Sequence, residues 1–300
     1  MTDFFSNCRL CPRRCGVDRH ESVGCCGERE VLRISRAAPH FWEEPCISGE
    51  RGSGAIFFCG CALKCSYCQN RDISRSRGGG EISTDRLCDI FFELCEKGVH
   101  NINLVTPSHF TPLIVAAIEK AKARGFGLPF VWNSSGYENV ETIRMLFGSI
   151  DIFLPDFKYF YSETAERYSS AADYPARALE ALSAMVDIAG TPSFDENGMM
   201  RRGVIVRHLV LPSHTDESIE ILKCIYNKFG NGVYFSIMNQ YTPMPHEKHS
   251  ELRRKLTTYE YQKVLAAAEK IGIKNGFCQS GETQKDSFIP PFDMTGVYSP

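Results

Sequence analysis

The sequence predicts an α/β fold, a partial (β/α)6 barrel of parallel strands with a small cysteine-rich N-terminal appendage. Two observations carry this expectation. From residue 55 onward, short apolar runs alternate with amphipathic stretches, the pattern of repeated strand–helix units. Before that point the chain is rich in cysteine, arginine and glycine and has little periodicity. The expected divisions are a cysteine-rich metal-binding segment over 1–50, the barrel over 51–280 and a C-terminal extension over 281–300.

The first segment carries Cys8, Cys11 and Cys15 at C-x2-C-x3-C spacing, followed by the neighbouring pair Cys25 and Cys26 between two glycines. A stretch so poor in apolar residues offers little core in which to bury free thiols, so a stapling metal accounts for them better. Cys8, Cys11, Cys15 and Cys26 supply four thiolates, enough to close a zinc site or hold an iron–sulfur centre. Cys25 fits the fourth position equally well by spacing.

Strands are expected at 55–59, 101–106, 128–132, 150–154, 203–210 and 232–238. Between them, a helix over 84–97 has Thr84 as its expected N-cap and Gly98 past its end, and one over 112–124 has Pro112 in its first turn and Gly125 at its exit. The interval 155–203 exceeds a single crossover and reads as two helices, 162–170 and 174–189, then an exposed loop from Gly190 to Gly198. Gly78-Gly79-Gly80-Glu81 follows no strand and lacks a Lys-Ser/Thr pair, so it reads as a flexible connector rather than a phosphate cradle. The tail from about 280 has turn composition and is expected to run extended over the surface. Six units suit a partial barrel, since eight normally need about 200–250 residues.

A net charge of −2 and a 43% hydrophobic composition indicate a globular chain with no charge excess that would call for nucleic acid or a charged membrane surface. No apolar run approaches the roughly 18 residues of a membrane span. The start lacks a basic region followed by an apolar one, so a cytoplasmic location is expected. Fourteen cysteines crowded toward the N-terminus at ligand spacings then point to metal or cluster binding rather than disulfides.

The most informative stretch follows the first strand, where Cys61, Cys65 and Cys68 form C-x3-C-x2-C on a loop. Three unrelated buried thiols within eight residues would be a poor coincidence. Thiolates select zinc, copper(I) or iron–sulfur clusters. A structural zinc site needs four ligands, whereas three thiolates on a four-iron cluster leave one iron open. Cys59 shares a strand face with Phe57 and Cys61 and is expected to be a buried apolar thiol.

In parallel α/β barrels the functional groups sit at the C-terminal strand ends. Those ends carry the cysteine loop, Thr106-Pro107-Ser108-His109, Asn133-Ser134-Ser135-Gly136-Tyr137, Asp156-Phe157-Lys158, Arg207-His208 and Asn239-Gln240-Tyr241. Hydroxyls and amides suit a ribose and a base, while an acid and a base suit an amine and a carboxylate. Asn133, Ser135, Asp156, Lys158, Arg207 and Gln240 are therefore the candidate cofactor-binding residues. Asp156 and Lys158, two apart, share a face. His100, His214 and His249 lack metal-type spacing and are expected to be structural.

These motifs resemble those of radical S-adenosylmethionine (SAM) enzymes. The stretch 48–58, Asn101 to His109, Asn133 to Tyr137, Asp156-Phe157-Lys158 and Val206 to Pro212 are similar to the subgroup related to pyruvate formate-lyase activating enzyme. The resemblance implies a [4Fe-4S] cluster on Cys61, Cys65 and Cys68 whose open iron chelates SAM and cleaves it reductively. It further implies hydrogen abstraction by a 5'-deoxyadenosyl radical and an electron donor such as flavodoxin or ferredoxin. Asp156 and Lys158 match an Asp-x-Lys motif that contacts SAM, and Arg207 matches a strand position near the SAM carboxylate. Many members carry Gly-Gly-Glu at the second strand end, where this chain has Thr106-Pro107-Ser108-His109. The first functional expectation is an activase that installs a glycyl radical on a partner protein. The second is radical modification of another protein or a small metabolite. An iron–sulfur electron carrier or metal-binding protein is the non-enzymatic rival, and it gives no reason for so many polar strand ends.

Overall fold

The chain alternates strand and helix through most of its length, and the sheet collects the strands in nearly sequential order. A computed structural model describes residues 3–245, 247–279 and 289–298. Its strands are β1 (Leu32–His40), β2 (Ser53–Phe58), β3 (Gly80–Ile82), β4 (Ile102–Val105), β5 (Phe130–Ser134), β6 (Ile152–Pro155), β7 (Ser193–Phe194), β8 (Met200–Leu209), β9 (Tyr234–Met238) and β10 (Gly276–Cys278). The order across the sheet is β10-β9-β8-β6-β5-β4-β2-β1-β3, with β7 on β8. From β2 through β10 the neighbours on this path run parallel, while β1 and β3 add an antiparallel edge beyond β2. All six expected strands form, so the fold is α/β with a mostly parallel sheet of the partial-barrel kind.

Alternation along each strand divides the core. Ile56, Phe58, Leu104, Phe130, Trp132, Phe153, Val204 and Phe235 face the helices and belong to the large apolar core. The other face holds Ala55, Phe57, Cys59 and Val105 in one apolar group and Val131, Ile152, Leu154 and Ile205 in another. Asn103, Asn133 and Arg207 have the same parity as this second set on their strands. Side chains from six successive strands on this face border one cavity, so the sheet curves around it.

Several local expectations are corrected. The helix Thr84–Glu96 is capped by Ser83, because its extended backbone lets Oγ accept from Arg86 N; Thr84 is its first helical residue. Gly80 and Glu81 of the expected flexible connector Gly78–Glu81 instead begin β3, which pairs with β1. The loop after Gly190 contains β7, which pairs antiparallel with β8. β1 lies in a stretch whose sequence shows little strand pattern, and its partners explain its formation: β2 on one side and β3 on the other. Residues 281–288 and 299–300 of the expected extension, and residue 280 before it, lie outside the described residues. Residues 289–298 run along β1, with Met294 N donating to Ser35 O at 3.0 Å, Ala37 N donating to Thr295 O at 2.8 Å, and Val297 buried.

Candidate functional site

Gly60, with φ of +82°, turns the chain out of β2 into the cysteine loop. A Cβ there would meet Cys26 O at 2.9 Å and His109 Nε2 at 3.1 Å, so the turn requires glycine both for conformation and for space. The loop is then pinned by backbone bonds. Cys61 N donates to Cys26 O at 3.0 Å, Ser66 N to Tyr168 O at 2.8 Å, and Leu63 N to Cys61 Sγ at 3.4 Å. Tyr67 lies beneath, its hydroxyl accepting from Tyr159 at 2.8 Å. Burial raises the Cys65 thiol pKa, with Lys158 pulling it down. Burial, then the neighbouring Cys65 and Cys61, pushes Cys68 up to about 12.

Cys61, Cys65, Cys68, Asn133, Ser135, Asp156, Lys158, Arg207 and Gln240 all border a cavity of about 230 Å³. Its electrostatic centre is Asp156. Lys158 Nζ stands 2.6 Å from Asp156 Oδ2, and Arg207 Nε 3.0 Å from Oδ1. Burial opposes the Asp156 charge, but Lys158 and Arg207 outweigh it and hold the carboxyl below its usual range. Burial likewise opposes the Lys158 charge, which Asp156 and then Cys65 hold on. Tyr174 fixes the strand end by donating to Asp156 O at 2.9 Å and accepting from Lys158 N at 2.9 Å. Gly136, at φ of +74°, lets β5 approach the Asp156 carbonyl too closely for a Cβ.

Glu43 belongs to this network although the sequence reading did not single it out. It pairs with Arg207 at 3.1 Å and accepts from Asn103 Nδ2 at 2.9 Å and Asn133 Nδ2 at 3.2 Å. Arg207 also donates to Asn133 Oδ1. Glu44 beside it is buried, and burial raises its pKa against the pull of Arg207. The available signal was polar residues inside apolar text: Asn101 and Asn103 alternate on a short strand, and two glutamates precede Pro45 in an aromatic loop. Thr106, at the end of β4, lines the same cavity with φ of +60°, a strained state for a β-branched residue.

The N-terminal thiols form a second group. Cys8, Cys11 and Cys26 are buried, Cys15 is half-buried and Cys25 is exposed. Burial, opposed by a backbone hydrogen bond from Arg13, pushes Cys11 up to about 12, with Cys26, Cys8 and Cys15 all close enough to add to the rise. Burial likewise raises Cys25, as does Cys15, while Lys64 and Arg13 pull the other way. Among the described residues, no three His, Cys, Asp or Glu side chains gather as ligands of a single ion. Cys59 stays apart as a fully buried thiol in the apolar group with Phe57. His100 contacts Arg51, while His214 and His249 lie against Tyr168.

The Radical SAM superfamily profile matches residues 55–225, from β2 through the helix after β8. The chain belongs to the radical SAM superfamily. It is 31% identical over 280 residues to an uncharacterised protein of Methanocaldococcus jannaschii, MJ0674, spanning 90% of this chain and 77% of that protein. Two solved structures share the fold. A radical SAM methyltransferase from Sphaerobacter thermophilus aligns with a TM-score of 0.50 and 13% identity over 75% of this chain and 65% of that one. Streptococcus suis SuiB aligns with a TM-score of 0.50 and 15% identity over 75% of this chain and 48% of that one. This radical SAM chain therefore spans about half of SuiB and just under two thirds of the methyltransferase.

The family implies a [4Fe-4S] cluster and SAM, and the donor set fits them. A cubane cluster binds each thiolate through a separate iron, so its ligands stand farther apart than those of one ion. Three soft donors border the cavity, and the rest of its lining joins charged and polar groups such as Asp156, Lys158 and Arg207 to apolar ones such as Phe57, Ile73 and Val105. No helix among the described residues is long and apolar enough to cross a membrane.

Proposed function

We propose that Cys61, Cys65 and Cys68 hold a [4Fe-4S] cluster and that SAM occupies the adjoining cavity. The supporting observation is that all nine residues expected from the sequence border that one cavity. When bound, the cluster supplies the electron that splits SAM into methionine and a 5'-deoxyadenosyl radical, which takes a hydrogen atom from the substrate. The protein's own contribution is positional. Ionised Asp156 accepts from a ligand ammonium group, Lys158 and Arg207 face a ligand carboxylate, and Asn133, Ser135 and Gln240 offer amide and hydroxyl partners to the nucleoside. Glu43 fixes Arg207 from the opposite side and adds a second carboxylate where many relatives have Gly-Gly-Glu. Buried apolar side chains around Phe57 and Val105 exclude water from the radical.

The first substrate reading is activation of a glycyl-radical partner protein. Phe41 and Trp42, 52% and 57% exposed, stand at the rim next to His40 and Pro290, an apolar surface suited to a polypeptide. The second reading is modification of another peptide, favoured by the likeness in fold to SuiB, one structure of which holds its precursor peptide SuiA. In either reading the N-terminal cysteines Cys8, Cys11, Cys15 and Cys26 form a second zinc or iron–sulfur site. The chain works in the reducing cytoplasm with a flavodoxin or ferredoxin as electron donor.

Anaerobic reconstitution with iron and sulfide, then reduction with SAM present, should yield methionine and 5'-deoxyadenosine. Cys65→Ala should lose the part of the absorbance that belongs to the Cys61–Cys65–Cys68 cluster, together with the products; product formation at the wild-type rate in that variant overturns the assignment. A glycyl radical on a partner, seen by electron paramagnetic resonance, selects the first substrate reading. 5'-Deoxyadenosine formed only with another peptide selects the second.

A further inference from the structure

The N-terminal thiols and the radical SAM loop are joined directly. Cys61 N donates to the carbonyl of Cys26 at 3.0 Å, so one residue of each cysteine set shares a hydrogen bond. Arg13, between Cys11 and Cys15, reaches across with Nε to Ala62 O at 2.9 Å, between Cys61 and Cys65. The same guanidinium binds Ser169 O at 2.9 Å and Ser170 O, tying both loops to the turn after the helix Ser162–Ser169. Gly60 makes this approach possible, since a side chain there would collide with Cys26 O.

The N-terminal set also surrounds a buried cation. Arg19 is 0% exposed, and its hydrogen-bond partners among the described residues are the carbonyls of Glu28, Arg29 and His109 and the Sγ of Cys8 at 3.8 Å. No carboxylate among the described residues hydrogen-bonds this guanidinium; Glu28 acts on it through charge alone and the Phe5 and Phe110 rings face it, so thiolates of a bound metal beside it would add favourable negative charge. Cys8 and Cys26 flank this guanidinium, Cys8 Sγ at 3.8 Å from Arg19 Nη1 and Cys26 Sγ beside Gly24, where a Cβ would meet both it and Arg19 Cδ at 3.5 Å; the direct bond of Cys26 to the Cys61 loop favours a redox-active cluster over zinc at these thiols. Half-buried Cys15 and exposed Cys25 put this group at the solvent side, while Cys61, Cys65 and Cys68 face the internal cavity.

We infer that the N-terminal thiols hold a second iron–sulfur cluster that relays electrons from a protein donor to the Cys61–Cys65–Cys68 loop. This rests on that loop carrying the SAM-cleaving cluster. A reduced low-potential flavodoxin or ferredoxin is oxidised by one electron at the solvent-side site. That site passes the same electron across the Cys26–Cys61 contact and returns to its oxidised state. The electron is consumed in breaking the sulfonium–C5' bond of one SAM, so one donor molecule is oxidised per 5'-deoxyadenosine formed.

The test uses the whole reconstituted protein. Wild type should bind about eight irons per chain, as two four-iron clusters require. On full reduction it should give two paramagnetic resonance signals broadened by each other. About four irons with one zinc per chain would overturn the relay. Cys11→Ser should lose about half the iron, and its ratio of donor-driven to dithionite-driven SAM cleavage should fall about tenfold or more. An unchanged ratio also overturns the relay, and the wild-type spectrum decides the matter if this variant fails to fold. Cys65→Ala separates the two claims. It should keep the N-terminal signal while losing SAM cleavage, whereas wild-type cleavage in this variant defeats the reading of the Cys61–Cys65–Cys68 loop itself.

Discussion

The Asp156–Lys158–Arg207 cluster should be strongly coupled, and a double-mutant cycle on Asp156→Asn and Lys158→Met measures how strongly. All three side chains are less than a fifth exposed, at 18%, 18% and 14%, so solvent screens them weakly. At 2.6 Å, a Coulomb attraction with an effective dielectric of about 20 is roughly 6 kcal/mol, and desolvation cancels most of it. Breaking such a buried pair from one side typically costs about 3–5 kcal/mol. Arg207 keeps Glu43 at 3.1 Å, whereas Lys158 has Asp156 as its only ion pair among the described residues. The loss in Asp156→Asn should therefore fall at the lower end, about 3 kcal/mol. Removing Lys158 as well should recover about 2 kcal/mol, because no unpaired ammonium remains. Equilibrium urea unfolding of wild type, both single variants and the double variant, under anaerobic conditions, gives the coupling. A value below about 0.5 kcal/mol would refute the argument. The sign in pH follows from Asp156 being held below its usual range. Its stabilisation is complete above the unfolded value of about 3.9 and is lost as pH falls through the lower folded value, so Asp156→Asn should flatten that acid limb.

Two further outcomes are expected. Gly60→Ala should destabilise the chain by about 2 kcal/mol or more, because it combines a left-handed backbone with a collision against Cys26 O; thermal unfolding checks this, and a loss below about 0.5 kcal/mol would mean that the N-terminal segment does not abut the loop. His109, whose Nε2 donates to Cys59 O at 2.6 Å, is pushed down to about 3 by burial and then by Arg19. Its contribution to stability is present above an unfolded value of about 6.5 and is lost progressively as pH falls toward about 3; in His109→Gln the unfolding free energy should vary less over that window.

Much of the fold was legible before any coordinates. Short apolar runs bounded by polar strand ends identified the six parallel strands, since burial on both faces leaves a compositional mark that needs no knowledge of neighbours. β1, β3, β7 and β10 left no such mark. Each exists because a partner strand satisfies its backbone, and pairing is decided at a distance along the chain. Ser83 took the cap expected of Thr84 because two adjacent hydroxyl residues are distinguished only by backbone angle.

The site divides in the same way. Cysteine spacing and the Asp-x-Lys pair are local, because ligands on one loop or one strand end must be close in sequence to converge. Those residues were named from text alone. Glu43 could not be, since its place beside Arg207, Asn103 and Asn133 depends on a loop beyond an antiparallel strand crossing to the cavity. The bond between Cys26 and Cys61 is likewise invisible in the sequence. What the sequence by itself determined was the donor type and spacing of each cysteine set, because these are properties of a short segment. Only tertiary structure decided that the two sets touch, because that contact required Gly60, Arg13 and the curvature of the sheet to bring segments 35 residues apart within one hydrogen bond.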